Sequence, residues 1–342
     1  MKNRHKIETA VLSVYRRVSP SYRPMKTKKQ LGANYCQRAN LLARLGLPEQ
    51  LFKGKKLLDI GGGTGEKSLF YSKFGAEVTI LEPNEISRAK ARAVFKTWGH
   101  RVRFIPKGLF DIRPSEIGHY DLVMCDGVLH NTYDPQAGLR LIASNLKKRA
   151  VLLIAVAEHN GWFKRLLQRE LVFRLAGANE AKIVATSKKY FQEHLDRAVK
   201  FGLRTEDSVI FDTFVNPQIQ TMTLKTICDI LHRNRVRYLS SYPTLNRFHE
   251  TRPWSQDKAD GYDYAAHRDY YKLLETVWKA SGEENVEETD LGCLARRVRR
   301  ESKELEALRR KIRKASFRAA DLRPIQKGYL GVGLHFFTGC KG

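Results

Sequence analysis

The chain has 342 residues, of which 42% are apolar, enough for a sizeable core and against global disorder. Its formal charge is +26, from 62 Lys and Arg against 36 Asp and Glu, a field that favours nucleic acid, anionic lipid or a phosphorylated substrate without choosing among them. Five scattered cysteines without a C-x-x-C pair argue against a disulfide framework or zinc site, and no apolar run is long enough to span a bilayer.

The N-terminal stretch is basic: residues 1–30 carry nine Lys or Arg and one acid, Glu8. It lacks the apolar core of a signal peptide, so a cytoplasmic protein is expected. From Lys55 onward, short apolar runs alternate with longer amphipathic ones. "KLLDIG", "EVTILEP", "RVRFIP", "YDLVMCDG" and "AVLLIAVA" predict five strands; "GEKSLFYSKFG", "NEISRAKARAVFKTWG" and "DPQAGLRLIASNLKK" predict helices between them. Continuous rather than alternating apolar strands predict a parallel sheet covered on both faces.

Two or three helices are expected over 161–205. A helix, "TLKTICDILHRNR", then feeds a strand, "VRYLSSYP", and the tail "GYLGVGLHFFTG" predicts a last strand. The expected fold is therefore α/β: a doubly wound, Rossmann-like, seven-stranded, mostly parallel sheet with helical insertions. The segments divide as a basic helical start (1–50), a core (51–160), a helical insertion roofing the site (161–221), a core helix and strand (222–243), a basic helical insertion (244–328) and a C-terminal core strand (329–342). The stretch "SGEENVEETD" at 281–290 is the candidate linker. "LARRVRRESKELEALRRKIRKASF" sets Leu294, Val298, Leu305, Leu308 and Ile312 at helical spacing, a stripe expected to pack on the core, the alternatives being a clamp on RNA or an in-plane helix on anionic membrane.

The stretch "KKLLDIGGGTGEKSLF" carries the chemistry. A phosphate-binding loop of the G-x-x-x-x-G-K-[ST] type fails because Glu66 stands where the second glycine belongs, and the dinucleotide pattern G-x-G-x-x-G fails at the same residue. What remains is D-x-G-x-G-x-G: Asp59, Gly61, Gly63 and Gly65, leaving a strand and opening a helix. Its glycines allow a sharp turn and close approach to a ligand, and Asp59 suits a cationic ammonium better than phosphate. Glu82 follows Gly65 by 17 residues, close to the spacing at which a carboxylate meets ribose hydroxyls.

Together with "GLFDI" and "YDLVMCDGVLHNTYDP", these residues resemble the class I S-adenosylmethionine-dependent methyltransferases, in particular the ubiquinone-biosynthesis-like branch, over about residues 35–160. The resemblance implies S-adenosyl-L-methionine as cofactor. It implies Asp59, Gly61, Gly63 and Gly65 on its methionine and ribose side, Glu82 on the ribose, Phe110 and Asp111 flanking adenine, and Asp126, Gly127 and His130 as the floor under the sulfonium. The usual second histidine after strand four is Asn131. Catalytic candidates are His130 and, from the loop after strand five, Glu158 and His159. No metal is expected, because His and Cys are dispersed.

The expected reaction is in-line methyl transfer to a hydroxyl, nitrogen or carbon of a small or carrier-linked metabolite. The alternatives are methyl transfer to RNA, for which the basic ends speak, and a non-catalytic protein that retains the fold. Neither the acceptor atom nor the oligomeric state follows from the residues.

Overall fold

The computed structural model describes residues 2–19, 27–202, 204–245, 261–281, 291–326 and 334–342. Two helices lead: α1 (Lys2–Arg17) and α2 (Lys28–Arg44). A reciprocal capping box fixes the start of α2, with Gln30 N donating to Thr27 Oγ1 and Thr27 N donating to Gln30 Oε1, both 3.2 Å.

The core follows as β1 (Lys56–Ile60), α3 (Glu66–Lys73), β2 (Glu77–Leu81), α4 (Glu85–Thr97), β3 (Arg103–Ile105), α5 (Pro114–Ile117), β4 (Leu122–Asp126), α6 (Pro135–Asn145) and β5 (Val151–Val156). Asn84 and Asp134 cap α4 and α6 through their side chains, and Pro135 supplies the preset φ of a first helical turn. The first insertion holds α7 (Phe163–Ala176), α8 (Glu180–Gly202), α9 (Glu206–Ile210) and a π-helical turn, Phe211–Val215. Then come α10 (Leu224–Arg233), β6 (Val236–Tyr242), α11 (Arg268–Ser281), α12 (Leu291–Arg313), α13 (Arg323–Gln326) and β7 (His335–Lys341).

The seven strands form one sheet in the order β3-β2-β1-β4-β5-β7-β6. All pairs from β3 to β5 are parallel, while β7 runs antiparallel to both β5 and β6. The expected α/β fold with a mostly parallel seven-stranded sheet is the fold observed, with the C-terminal strand inserted inside the sheet rather than added at its edge. Of the segment 329–342, the part before residue 334 lies outside the described residues, as does most of the candidate linker at 281–290.

Three hydrophobic clusters hold the molecule. One lies on each face of the sheet, and the third joins α7, α8, α9, the π turn, α12 and α13 with Val14 of α1. The insertion at 244–328 therefore splits. Tyr271, Leu274, Val277 and Trp278 of α11 pack on the sheet with Ile154 and Phe337, whereas Leu305, Leu308 and Ile312 of α12 pack against Phe163 and Leu167 of the first insertion. The α12 stripe is thus core from Val298 to Ile312; the side chain of Leu294 lies outside the described ones. Truncating Ile312 to Ala should cost about 2–5 kcal/mol of unfolding free energy in urea titration, while Arg310→Ala, on the exposed face, should stay within about 0.5 kcal/mol.

Candidate functional site

The strand order reverses between β1 and β4, the place where open α/β sheets bind ligands beyond the carboxyl ends of their strands. The turn from β1 into α3 is made there by Gly61, Gly63 and Gly65, with φ of 67°, 55° and 83°. These are left-handed conformations that other residues adopt at a cost. A Cβ on Gly61 would also stand 2.4 Å from Val128 Cγ2. Gly65 is equally constrained, because a Cβ there would lie 2.8 Å from Ala91 Cβ on α4.

Glu82 closes on this turn from the end of β2. Its Oε2 accepts from Gly63 N at 3.1 Å and its Oε1 from Asn84 N at 2.9 Å. Burial raises its pKa, and the two backbone bonds act against that. Asn84 in turn donates from Nδ2 to the carbonyl of Tyr15 at 3.2 Å, which lays α1 across the end of β2.

A buried charge cluster occupies the other side of the turn. Asp126, whose side chain is 3% exposed, pairs through Oδ2 with Lys67 Nζ at 2.9 Å and Arg38 Nη1 at 3.0 Å. Burial pushes its carboxyl up, but Lys67 and Arg38 outweigh burial and hold it at about 2. Arg38 also donates to the Tyr71 hydroxyl. Asp59 accepts from Ser68 Oγ at 2.6 Å, and burial raises its pKa to about 6. Asp126 Oδ1 and Arg38 Nε, both buried, have no hydrogen-bond partner among the described residues.

Lys67 and Ser68, the residues that mimic a phosphate loop, therefore serve two carboxylates instead. Arg38 was not singled out from the sequence, although a signal was there. It sits on the buried stripe of α2 with Leu31, Asn34 and Leu42, where a cation has no place without a partner.

Phe110 packs on Tyr133 with ring centroids 4.6 Å apart, and the Arg4 guanidinium lies 5.3 Å from the Phe110 centroid. Arg4 Nη2 also pairs with Asp111 Oδ1 at 2.5 Å. The first turns of α1 thus cover Phe110 and Asp111.

Gly127 has φ 85°, and Asn131 donates to its carbonyl at 3.3 Å. Asn131 Oδ1 accepts from Asn216 Nδ2 at 2.9 Å, and the same Nδ2 donates to the Tyr15 hydroxyl at 3.0 Å. That hydroxyl donates to Asp212 Oδ1 at 3.1 Å. Asn131 therefore links the floor of the crevice to the first insertion and to α1. Arg169 holds the π turn by donating to the carbonyls of Thr213 and Asn216.

His130 is 6% exposed, and its ring stands 5.5 Å from that of Trp162. Burial keeps it neutral, with a pKa near 4, and its Nδ1 has no partner among the described residues. His130 feels the charge of Asp126, while His159 and Glu158 are held by other partners. His159 Nδ1 is 3.0 Å from Thr221 Oγ1; burial lowers its pKa, and Arg309 and Lys279 lower it further.

Glu158 is 0% exposed and spends both oxygens internally, accepting from Gly161 N at 2.8 Å, Leu224 N at 3.2 Å and Asn160 Nδ2 at 3.3 Å. In this placement Glu158 anchors the loop after β5 to the start of α10. Among the described residues no group of three or more His, Cys, Asp or Glu is placed to hold a metal ion, and no helix is long and apolar enough to cross a membrane.

Residues 30–198 match the methyltransferase domain family. This stretch is a class I S-adenosylmethionine-dependent methyltransferase domain. The ubiquinone biosynthesis O-methyltransferases of Escherichia fergusonii and Escherichia coli K12 are each 27% identical to the chain over 137 residues, 38% of this chain and 55% of theirs. The chain thus spans about half the length of these relatives.

Among solved structures, the magnesium protoporphyrin IX methyltransferase of Synechocystis PCC 6803 is 16% identical, with a TM-score of 0.42 over 69% of this chain and 88% of its own. A Burkholderia thailandensis N1-methyltransferase is 22% identical, with a TM-score of 0.34 over 45% of this chain and 64% of its own. Both likenesses are too loose to bear on function.

The domain's buried acid has a consequence for pH. Burial raises the Glu158 pKa from 4.5 to about 8, so between these values the unfolded chain has lost a proton that the folded chain keeps. The contribution is full below about pH 4.5 and is lost as pH rises toward 8. Glu158→Gln should remove this dependence. Calorimetric melting should therefore show the variant gaining on the wild type between pH 5 and pH 8, and parallel profiles would contradict it.

Proposed function

We propose that the protein transfers a methyl group from S-adenosyl-L-methionine, by in-line displacement, to a hydroxyl of a small or carrier-linked metabolite. The observation that carries this reading is the D-x-G-x-G-x-G turn, with its three left-handed glycines, closed on Glu82 at the reversal of the strand order.

The residues present suit that cofactor. Glu82 offers a carboxylate to two ribose hydroxyls, a bidentate match. The glycines let the backbone approach the ligand. Arg38 and Lys67 offer positive charge to an α-carboxylate, and Asp59 and Asp126 offer negative charge to an α-ammonium. The unpartnered Asp126 Oδ1 and Arg38 Nε lie at this end. Phe110 would stack beside adenine with Asp111 at its edge, under Arg4.

Bound there, the cofactor supplies an electrophilic methyl on a good leaving group. The chain then has to align two molecules and exclude water, an effect that can supply about 7–11 kcal/mol. α1, the π turn and Trp162 provide the enclosure. Neutral His130 is suited to accept a hydrogen bond from the acceptor hydroxyl. With a pKa near 4 it is poorly matched to remove that proton outright, so its role is orientation.

Methyl transfer to RNA has weaker support. Four of the nine Lys and Arg of α12 are engaged within 3.2 Å by acids of the same molecule, in Arg297–Glu301, in Arg309 and Arg313 on Glu170, and in Lys311–Asp321.

The test is S-adenosylhomocysteine binding. Glu82→Ala should weaken it by about 10–100-fold, equivalent to about 1.4–2.8 kcal/mol, and Arg38→Ala should weaken it as well. Fluorescence titration of the folded variants reads the change, and an affinity for Glu82→Ala equal to the wild type would remove the ribose assignment.

A further inference from the structure

Burying a hydrogen-bonding atom without a partner is costly, and folded proteins retain few such atoms. Two touching side chains outside the crevice described above concentrate three of them. His335 is 6% exposed, and neither its Nδ1 nor its Nε2 has a partner among the described residues. Trp278 of α11 is 2% exposed and meets the imidazole edge-on, with ring centroids 4.4 Å apart and planes at 63°. Its Nε1 is equally without a partner among the described residues.

Their place in the fold is informative. β7 runs antiparallel, so its first residue lies at the carboxyl ends of the parallel strands, and His335 is in register with Val156 at the end of β5. The imidazole rests on the loop that follows β5: a Cβ on Gly161 would lie 2.0 Å from His335 Cε1. Leu334, one residue earlier, meets Gly127, where an added Cβ would be 3.4 Å from Leu334 Cδ1. The pair therefore borders the reactive edge of the sheet, beside the floor assigned to methyl transfer.

Donors and acceptors can be counted. A neutral imidazole offers one donor and one acceptor, and an indole offers one donor. Burial alone keeps His335 neutral, with a pKa near 3. A hydroxyl complements two of these groups at once, accepting from the indole N–H and donating to the unprotonated imidazole nitrogen. The remaining imidazole N–H takes a second oxygen. A carboxylate lacks the donor, and an ammonium lacks the acceptor.

We propose that His335 and Trp278 form the polar floor of an acceptor subsite for a neutral, hydroxyl-bearing ligand. This deepens the methyltransferase reading, on which it rests for the ligand's being the methyl acceptor. The preference for a hydroxyl stands on the pair itself.

Phenol, with toluene as its hydroxyl-free counterpart, tests the subsite in the whole protein. The indole ¹⁵N resonance of Trp278, assigned by its loss in Trp278→Phe, should shift with phenol and stay in place with toluene. His335→Leu should weaken the phenol response at least fivefold. Because that substitution removes two unpartnered atoms at similar volume, the ligand-free variant should melt no lower than the wild type.

Equal responses to phenol and toluene would overturn the proposal. So would a clearly lower melting temperature of His335→Leu, which would mean that chain or water already satisfies the ring. S-adenosylhomocysteine titrated into the same proteins keeps the two readings apart. Its affinity should not change in His335→Leu, and a wild type that bound phenol selectively but not S-adenosylhomocysteine would lose the methyltransferase reading and keep the subsite.

Discussion

A carboxylate buried between two cations governs the crevice. Asp126 would be costly to bury alone, and removing one partner of such a pair typically costs about 3–5 kcal/mol. Its partners come from different elements: Arg38 from α2 and Lys67 from the first turn of α3. Satisfying Asp126 therefore fixes where α2 lies, where α3 begins and how the glycine turn is drawn across the end of β1. The same cluster leaves charges of both signs at one end of the crevice, which suits a zwitterionic amino-acid group.

The first helix completes the enclosure. Arg4 near its start is tied to Phe110, Tyr133 and Asp111, and Tyr15 near its end to Asn84, Asp212 and Asn216. α1 thus bridges the Phe110 side of the crevice and the first insertion. The π turn at the insertion's end is an arrangement often found at functional sites, and it is what brings Asp212 and Asn216 to Tyr15. Fold alone would not specify chemistry; it is the charges, glycines and buried polar atoms at this one edge that do.

The sheet was legible because its strands are continuous apolar runs. Leu57, Leu58 and Ile60, or Val151 through Val156, have no exposed face to hide, and turn residues bound each run. Asp59, the glycines and Glu82 were legible for a related reason: spacing alone places them at the ends of adjacent parallel strands. What the sequence concealed depends on distant pairing. Tyr15 meets Asn216 and Arg4 meets Asp111 across more than a hundred residues, and neither local pattern hints at the contact. The place of Glu158 after β5 puts it near the site in the sequence, but its bonds to Gly161 and Leu224 could not be read there. His335 was overlooked because it is the antiparallel insertion of β7 that brings it to the carboxyl ends of the parallel strands.

The most direct test is calorimetric titration of S-adenosyl-L-methionine into the purified wild-type protein. The account predicts saturable binding to a single site at micromolar concentration. A folded protein, shown by a cooperative melting transition, that released no heat and bound no cofactor would contradict it.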